Sequence, residues 1–126
     1  MNVPDDLRYT NDHEWVRPAD AAVRIGITDF AQDALGDVVF VELPPVGTVV
    51  SKGGSLAEVE STKSVSQIYA PVSGTVVEAN EALRGAPELL NSEPYGEGWI
   101  CSIQPSDPAE IDSLLAPEEY RTVTDA

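Results

Sequence analysis

Lysine is almost missing from this chain of 126 residues: there are two, Lys52 and Lys63, against five arginines. Histidine and cysteine occur once each, as His13 and Cys101. One cysteine cannot close an internal disulfide, and one histidine with one cysteine leaves none of the usual zinc ligand sets. A Ser-His-Asp or Cys-His pair would have to use His13, and no Gly-x-Ser-x-Gly turn supports one. No Asp-x-Asp-x-Asp-Gly loop occurs either, so the acids read as scattered surface groups and no metal site is expected. No apolar run approaches the roughly 18 residues of a membrane span. Seven Lys plus Arg stand against 22 Asp plus Glu, a net charge of −15 that repels nucleic acid and anionic lipid alike. The segment Met1-Asn2-Val3-Pro4-Asp5-Asp6 has neither a basic nor an apolar stretch of a secretory signal and is too acidic for a transit peptide. A reducing, cytoplasmic setting is therefore the default expectation.

What is present is short, alternating and punctuated. The length fits one domain. Glu14-Trp15-Val16-Arg17 and Ala22-Val23-Arg24-Ile25-Gly26-Ile27 flank Pro18-Ala19-Asp20 and predict a hairpin. Thr28 is placed to cap a short helix, with Asp29 in its first turn, Phe30, Ala34 and Leu35 on one face, and Gly36 as its stop. Asp37 to Leu43 returns to strand, and short β segments follow at Thr48–Val50, Leu56–Val59, Val65–Tyr69 and Gly74–Val77. That spacing predicts a small β sandwich or barrel. Near the C-terminus, Asp107-Pro108-Ala109-Glu110 reads as a variant capping box. Ile111, Leu114 and Leu115 then form the apolar stripe of a docked helix, and Pro117 starts a last short one through Glu118-Glu119-Tyr120-Arg121.

Pro45-Val46-Gly47-Thr48-Val49-Val50 recurs as Pro71-Val72-Ser73-Gly74-Thr75-Val76-Val77 with one inserted serine. The repeat predicts two similar β units about an approximate two-fold, with the intervening chain turning back on itself. Ser61-Thr62-Lys63-Ser64 falls at the tip of that turn. Small hydroxyl residues flank the lysine and leave its ammonium accessible. Two readings stay open on the residues alone: a solvated turn lysine, or the attachment point of a group that must swing. A Schiff-base lysine needs burial to lower its pKa, which an exposed tip does not supply.

The stretch from Val59 to Gly74, Val-Glu-Ser-Thr-Lys-Ser-Val-Ser-Gln-Ile-Tyr-Ala-Pro-Val-Ser-Gly, resembles the lipoyl-attachment segment of the H protein family of the glycine cleavage system. His13-Glu14-Trp15, Gly26 to Gln32, Leu35 to Pro44 and Leu90 to Trp99 resemble the same family in matching order. The resemblance implies a mainly β fold, a lipoyl-type hybrid barrel-sandwich with a short internal helix and C-terminal helices. It implies a single domain over 1–126, with a lipoyl-hairpin core at about 23–104 and a C-terminal helical segment at about 106–122. It implies lipoic acid amide-linked to Lys63. The arm would take an aminomethyl group from glycine as the P protein decarboxylates it, present it to the T protein and be reoxidised by the L protein. The chain would be a non-catalytic carrier that also meets lipoate-attaching enzymes, and a monomer is expected. By the same resemblance Glu14 contacts the aminomethyl group: a carboxylate there keeps the amine protonated, so that its lone pair cannot expel the thiolate. An ordinary strand-edge acid is the other reading of Glu14.

The remaining candidates have blander expectations. Trp15 and Trp99 read as core or cleft-wall aromatics, Cys101 as a buried strand thiol, His13 as a hydrogen-bonding histidine and Lys52 as a solvated turn residue. Tyr95-Gly96-Glu97-Gly98 is no phosphate cradle, having an acid inside it and no Lys-Ser/Thr after it. Other swinging-arm domains are the alternatives. Biotinyl segments usually flank their lysine with methionine, where Thr62 and Ser64 stand here, and lipoyl domains of 2-oxoacid dehydrogenases usually lack the Leu35 to Pro44 block. A lipoate relay or adaptor built on the same fold would keep the lysine too. Residues 64–126 hold 11 acids and 2 bases, so the negative charge weighs toward the C-terminal half and suits transient docking on partner enzymes.

Overall fold

The structure, a computed structural model, describes residues 2–18 and 21–124. Among the described residues, nine strands form two antiparallel sheets. β1 (Arg8–Tyr9), β2 (Glu14–Pro18), β3 (Val23–Ile27), β5 (Val49–Val50), β8 (Gly74–Ala79) and β9 (Cys101–Pro105) make a six-stranded sheet in the order β1-β2-β3-β9-β8-β5. β4 (Val38–Glu42), β6 (Ser55–Ser61) and β7 (Val65–Tyr69) make a three-stranded one in the order β4-β6-β7. Alternation along the strands sends Val16, Ile25, Val76 and Ile103 from the first sheet and Val41, Val59 and Ile68 from the second into one shared core. The architecture is the barrel-sandwich that the alternating segments and their resemblance imply.

The expected β2–β3 hairpin forms, with Trp15 opposite Gly26 and Arg17 opposite Arg24. Gly26 is needed there, since a Cβ would stand 2.5 Å from the Trp15 ring. The Ala19-Asp20 part of the expected reversal lies outside the described residues. β1 pairs with β2 and escaped prediction because two residues carry no period.

Helix α1 (Asp29–Leu35) is capped as expected: the Thr28 hydroxyl accepts the Ala31 N–H at 3.2 Å, and Gly36 ends the helix at φ +79°. Its inward face differs from the expected one. Ala31 and Leu35 pack on the core, Ala34 is exposed, and Phe30 stacks on the His13 ring with centroids 4.4 Å apart. Short helices α2 (Ala82–Gly85) and α3 (Leu89–Ser92) were not expected; each drops one leucine, Leu83 or Leu90, into the core.

The C-terminal segment departs most from the sequence reading. α4 spans only Ala109–Asp112. Asp107 caps it by accepting the Ala109 N–H at 3.0 Å, but Glu110 does not close a capping box. Its carboxylate instead accepts the Ser73 N–H at 2.7 Å and the Ser73 hydroxyl at 3.1 Å, a stronger use of a charged acceptor than a frayed helix start offers. The expected stripe is split. Leu114 joins the main core, whereas Leu115 is extended, exchanges backbone hydrogen bonds with Tyr9 and packs on a second cluster. That cluster comprises Val3, Leu7, Tyr9, Trp15 and Tyr120, the last supplied by α5 (Pro117–Thr124), which is longer than predicted.

The repeated segments pair with each other, Val49 opposite Thr75 and Val50 opposite Gly74. Their burial is nevertheless inverted. Val49 is exposed where its counterpart Val76 is buried, and Val50 is buried where Val77 is exposed. The inserted Ser73 shifts the second copy by one residue, and a one-residue shift turns a strand's faces over. The two units share a sequence pattern but not the burial a two-fold would give them.

Candidate functional site

Lys63 lies in the turn of the β6–β7 hairpin. The Ser61 N–H donates to the Ser64 carbonyl at 2.8 Å, while the Ser61 hydroxyl oxygen accepts the N–H groups of Lys63 and Ser64, each at 3.2 Å. Ser61 is thus a buried turn-former and not merely a small neighbour. Thr62, Lys63 and Ser64 are exposed, and among the described residues no ion pair involves Lys63.

The lysine stem does not stand free. It crosses the turn between α1 and β4, so that a Cβ on Gly36 would meet the Lys63 Cε at 2.9 Å and its Nζ at 3.6 Å. Glycine is required at this point twice over, by the positive φ and by the stem. The ammonium consequently rests near the C-terminal end of α1, whose last carbonyls favour positive charge. One residue further on, the Asp37 carbonyl accepts the Thr62 N–H at 3.0 Å and ties the hairpin tip to the same turn.

Glu14, at the start of β2, is 1% exposed. Its Oε1 accepts the Thr10 hydroxyl at 2.8 Å and its Oε2 the Tyr69 N–H at 3.3 Å. Burial pushes its carboxyl up to about 7 from an ordinary 4.5; the two hydrogen bonds pull the other way, and the Asp12 charge adds to the rise. Glu14 lines a cleft of about 200 Å³ together with Thr10, Asn11, Asp12, Lys52 and Ala70. Lys52 is therefore more than a solvated turn residue: it borders this cleft, and its Nζ donates to the Ser113 hydroxyl at 3.1 Å. Glu14 and Lys63 are not in contact. Tyr69, which holds Glu14, is at the far end of β7 from the tip, six residues of extended chain or about 20 Å away.

Other singled-out residues serve the frame. Trp15 is fully buried and donates from Nε1 to the Pro94 carbonyl at 2.8 Å. Trp99 carries the Arg24 guanidinium 4.1 Å above its ring. Cys101 is fully buried in β9, where the apolar surroundings push its thiol up to about 12. His13 adopts φ 68°, and its Nδ1 lies 2.8 Å from the Tyr120 hydroxyl, which lies 2.7 Å from the Thr28 hydroxyl. In the Tyr95 to Gly98 loop, the Tyr95 hydroxyl accepts the Asp29 N–H and donates to the Asn2 carbonyl. Asn91, whose side chain bridges the turn under Lys63, carries no sign of this in the sequence; an Asn inside a helical turn gives no local indication of a partner 53 residues away.

Comparison with known proteins agrees with this arrangement. The family model described as "Glycine cleavage H-protein" matches residues 7–126. The chain is 55% identical over 126 residues to the glycine cleavage system H protein of Thermus thermophilus, covering 100% of this chain and 98% of that protein. It is 54% identical over 121 residues to the H protein of Anaeromyxobacter sp. strain K, covering 96% and 94%. Among solved structures, the crystal structure of a glycine cleavage system H protein from Mycobacterium marinum superposes with a TM-score of 0.89 at 46% identity, covering 98% of this chain and 100% of that one. The chain belongs to the glycine cleavage H-protein family.

Proposed function

We propose that this chain carries lipoic acid on Lys63 and conveys the aminomethyl group derived from glycine between the P, T and L proteins of the glycine cleavage system. As a member of its family it is a lipoyl carrier component and not a catalyst. The observation that supports the attachment point most directly is an exposed lysine in a hairpin turn that is held by Ser61 and Asp37. An amide there forms between Nζ and the carboxyl carbon of an activated lipoyl donor, whose leaving group departs as the amine loses a proton. We read the molecule as a single-domain monomer working in the cytoplasm. Its buried lone thiol asks for no oxidising compartment, and no helix among the described residues is long and apolar enough to cross a membrane.

Glu14 is the residue we assign to the loaded arm. The extended lysine, lipoyl chain and aminomethyl group together measure about 20 Å, the length of strand that separates the tip from Tyr69. An arm laid back along the sheet brings its amine to the Glu14 cleft. A buried carboxyl poised near 7 gives up its proton when a cation arrives, and the resulting carboxylate holds the amine in its charged form.

The attachment reading is tested by intact mass. Protein isolated from its native cell is expected to carry one lipoyl group, and Lys63→Arg none. An unmodified wild-type mass in cells with active glycine cleavage defeats the reading.

A further inference from the structure

The hairpin that carries Lys63 belongs to the smaller sheet, where β7 is an edge strand and only β6 is paired on both sides. A tip so placed is free to wander unless something beyond the ladder fixes it. Two contacts do so, the Thr62 N–H on the Asp37 carbonyl and the Lys63 stem across Gly36. Both end on the same α1–β4 turn, so the position of the lysine is set by whatever sets that turn.

We infer that Asn91 is a positioning residue for the carrier lysine, acting through the Gly36–Asp37 turn. Its side-chain amide brackets Asp37: Nδ2 donates to the Gly36 carbonyl at 2.8 Å, and Oδ1 accepts the Val38 N–H at 2.9 Å. Nδ2 also donates to the Gln32 Oε1 at 3.1 Å, which joins the last turn of α1 to the same clamp. Neither β4 nor α1 satisfies these groups by itself, because Gly36 at ψ −158° breaks the helix and Val38 is only entering its strand. Asn91 in turn is anchored. Its neighbour Leu90 is fully buried in the main core, and α3 is held by the backbone bonds of its own turn. The chain of contacts runs from the core through Leu90 to Asn91, to the Gly36 carbonyl and Val38 N–H, to the Asp37 carbonyl, to the Thr62 N–H and so to Lys63.

This placement has a consequence for modification. An enzyme that acylates an exposed lysine must find the tip in one arrangement or order it on binding, and ordering a loose segment weakens binding without changing the chemistry. Asparagine is specified because the site needs a donor and an acceptor on one short planar group. Aspartate has the shape but turns a carboxylate oxygen toward the Gly36 carbonyl.

The inference rests on Lys63 being the lipoyl site, and its test separates the two. Wild type, Asn91→Asp and Asn91→Ser full-length chains are compared with a lipoate-attaching enzyme and in hydrogen exchange of the Thr62 amide. In both variants KM for attachment is expected to rise roughly tenfold with kcat within about twofold, the pattern of lost binding order and not of lost chemistry. Thr62 exchange is expected to accelerate, while amides of Val59 and Ile103 keep their protection. Acylation of Lys63 by a small amine-reactive ester is expected to match wild type. Asn91→Ser carries no new charge and serves if Asn91→Asp folds poorly. Unchanged KM in a folded variant overturns the inference, and so does loss of protection shared equally by Thr62 and the core strands. A wild-type chain that accepts no lipoyl group defeats the carrier reading instead, and Thr62 exchange then decides whether Asn91 holds the tip.

Discussion

Glu14 shows how one buried side chain links stability to the chemistry proposed for it. Its carboxyl titrates at about 7 in the folded chain against an ordinary 4.5, so the folded state binds a proton more tightly than the unfolded one. The stabilisation this gives is complete below the unfolded value and is lost as pH rises through the folded one. A shift of this size corresponds to about 3 kcal/mol between the ends of the window. His13 acts with the opposite sign: burial lowers its pKa from 6.5, so charging it as pH falls costs stability. Glu14→Gln, whose amide oxygen can accept from Tyr69 while its NH2 donates to the Thr10 hydroxyl, is expected to flatten the loss between pH 5 and pH 8 and to be more stable than wild type at pH 8 by roughly 2 kcal/mol. Urea unfolding at the two pH values measures this, and an identical pH slope in the variant refutes it. The raised pKa was not legible in the sequence, since the residues around Glu14 in the chain show a strand-edge acid and only the folded structure buries its carboxyl.

Among elements, those whose signal is local were legible and those assembled from afar were not. The β2–β3 hairpin, the capped start of α1 and the β6–β7 turn all follow from residues a few positions apart. The segment after Asp107 does not. Glu110 answers to Ser73, and Leu115 pairs with Tyr9 across the molecule, so helical spacing on paper became a split chain in space. The candidate site divides in the same way. Lys63 was visible as a rare residue at a turn, whereas Gly36, Asp37 and Asn91 come to it only through tertiary contact. Helix α5 is the sharpest such case, because Tyr120 and Arg121 hold it on the body through partners more than 90 positions away. Tyr120 stacks on Tyr9 at 4.6 Å, and its oxygen sits between His13 Nδ1 and the fully buried Thr28 hydroxyl. The Thr28 oxygen also accepts the Ala31 N–H, so the Thr28, Tyr120 and His13 groups form one hydrogen-bonded chain whose proton order follows the His13 tautomer. Tyr120→Phe keeps the ring but removes the hydroxyl that the buried Thr28 hydroxyl and His13 Nδ1 both bond. A loss of about 2 kcal/mol is expected, with α5 and the start of α1 exchanging their amides faster. Thermal unfolding and hydrogen exchange check this, and a stability equal to wild type shows that the hydroxyl chain is not what holds α5.

At the scale of the whole molecule, the net charge of −15 acquires a direction from the sheet register. Phe40, Glu60 and Val65 lie in one row across β4, β6 and β7, and Glu42, Glu58 and Gln67 in the next row on the same face, so the sheet that carries the Lys63 turn sets acids beside exposed apolar side chains. A carrier that must leave each partner quickly gains more from fast encounter than from tight binding, and a one-signed field raises the on-rate while adding little to residence. Most of the other acids need only be solvated. Encounter with the P protein proposed as its partner is therefore expected to slow several-fold as ionic strength rises from about 0.05 to 0.5 M, where the screening length falls from above 10 Å to about 4 Å. Replacing Glu42, Glu58 and Glu60 by glutamine is expected to lower the low-salt rate and to remove most of the salt dependence. The same change at Glu118 and Glu119 on α5 should leave both near wild type, although it alters the net charge by a similar amount. Stopped-flow association at several salt concentrations tells the triplet variant from the pair variant. Equal effects from the two sets would mean that total charge and not its placement governs docking, and a rate indifferent to salt in the wild-type chain would remove steering altogether.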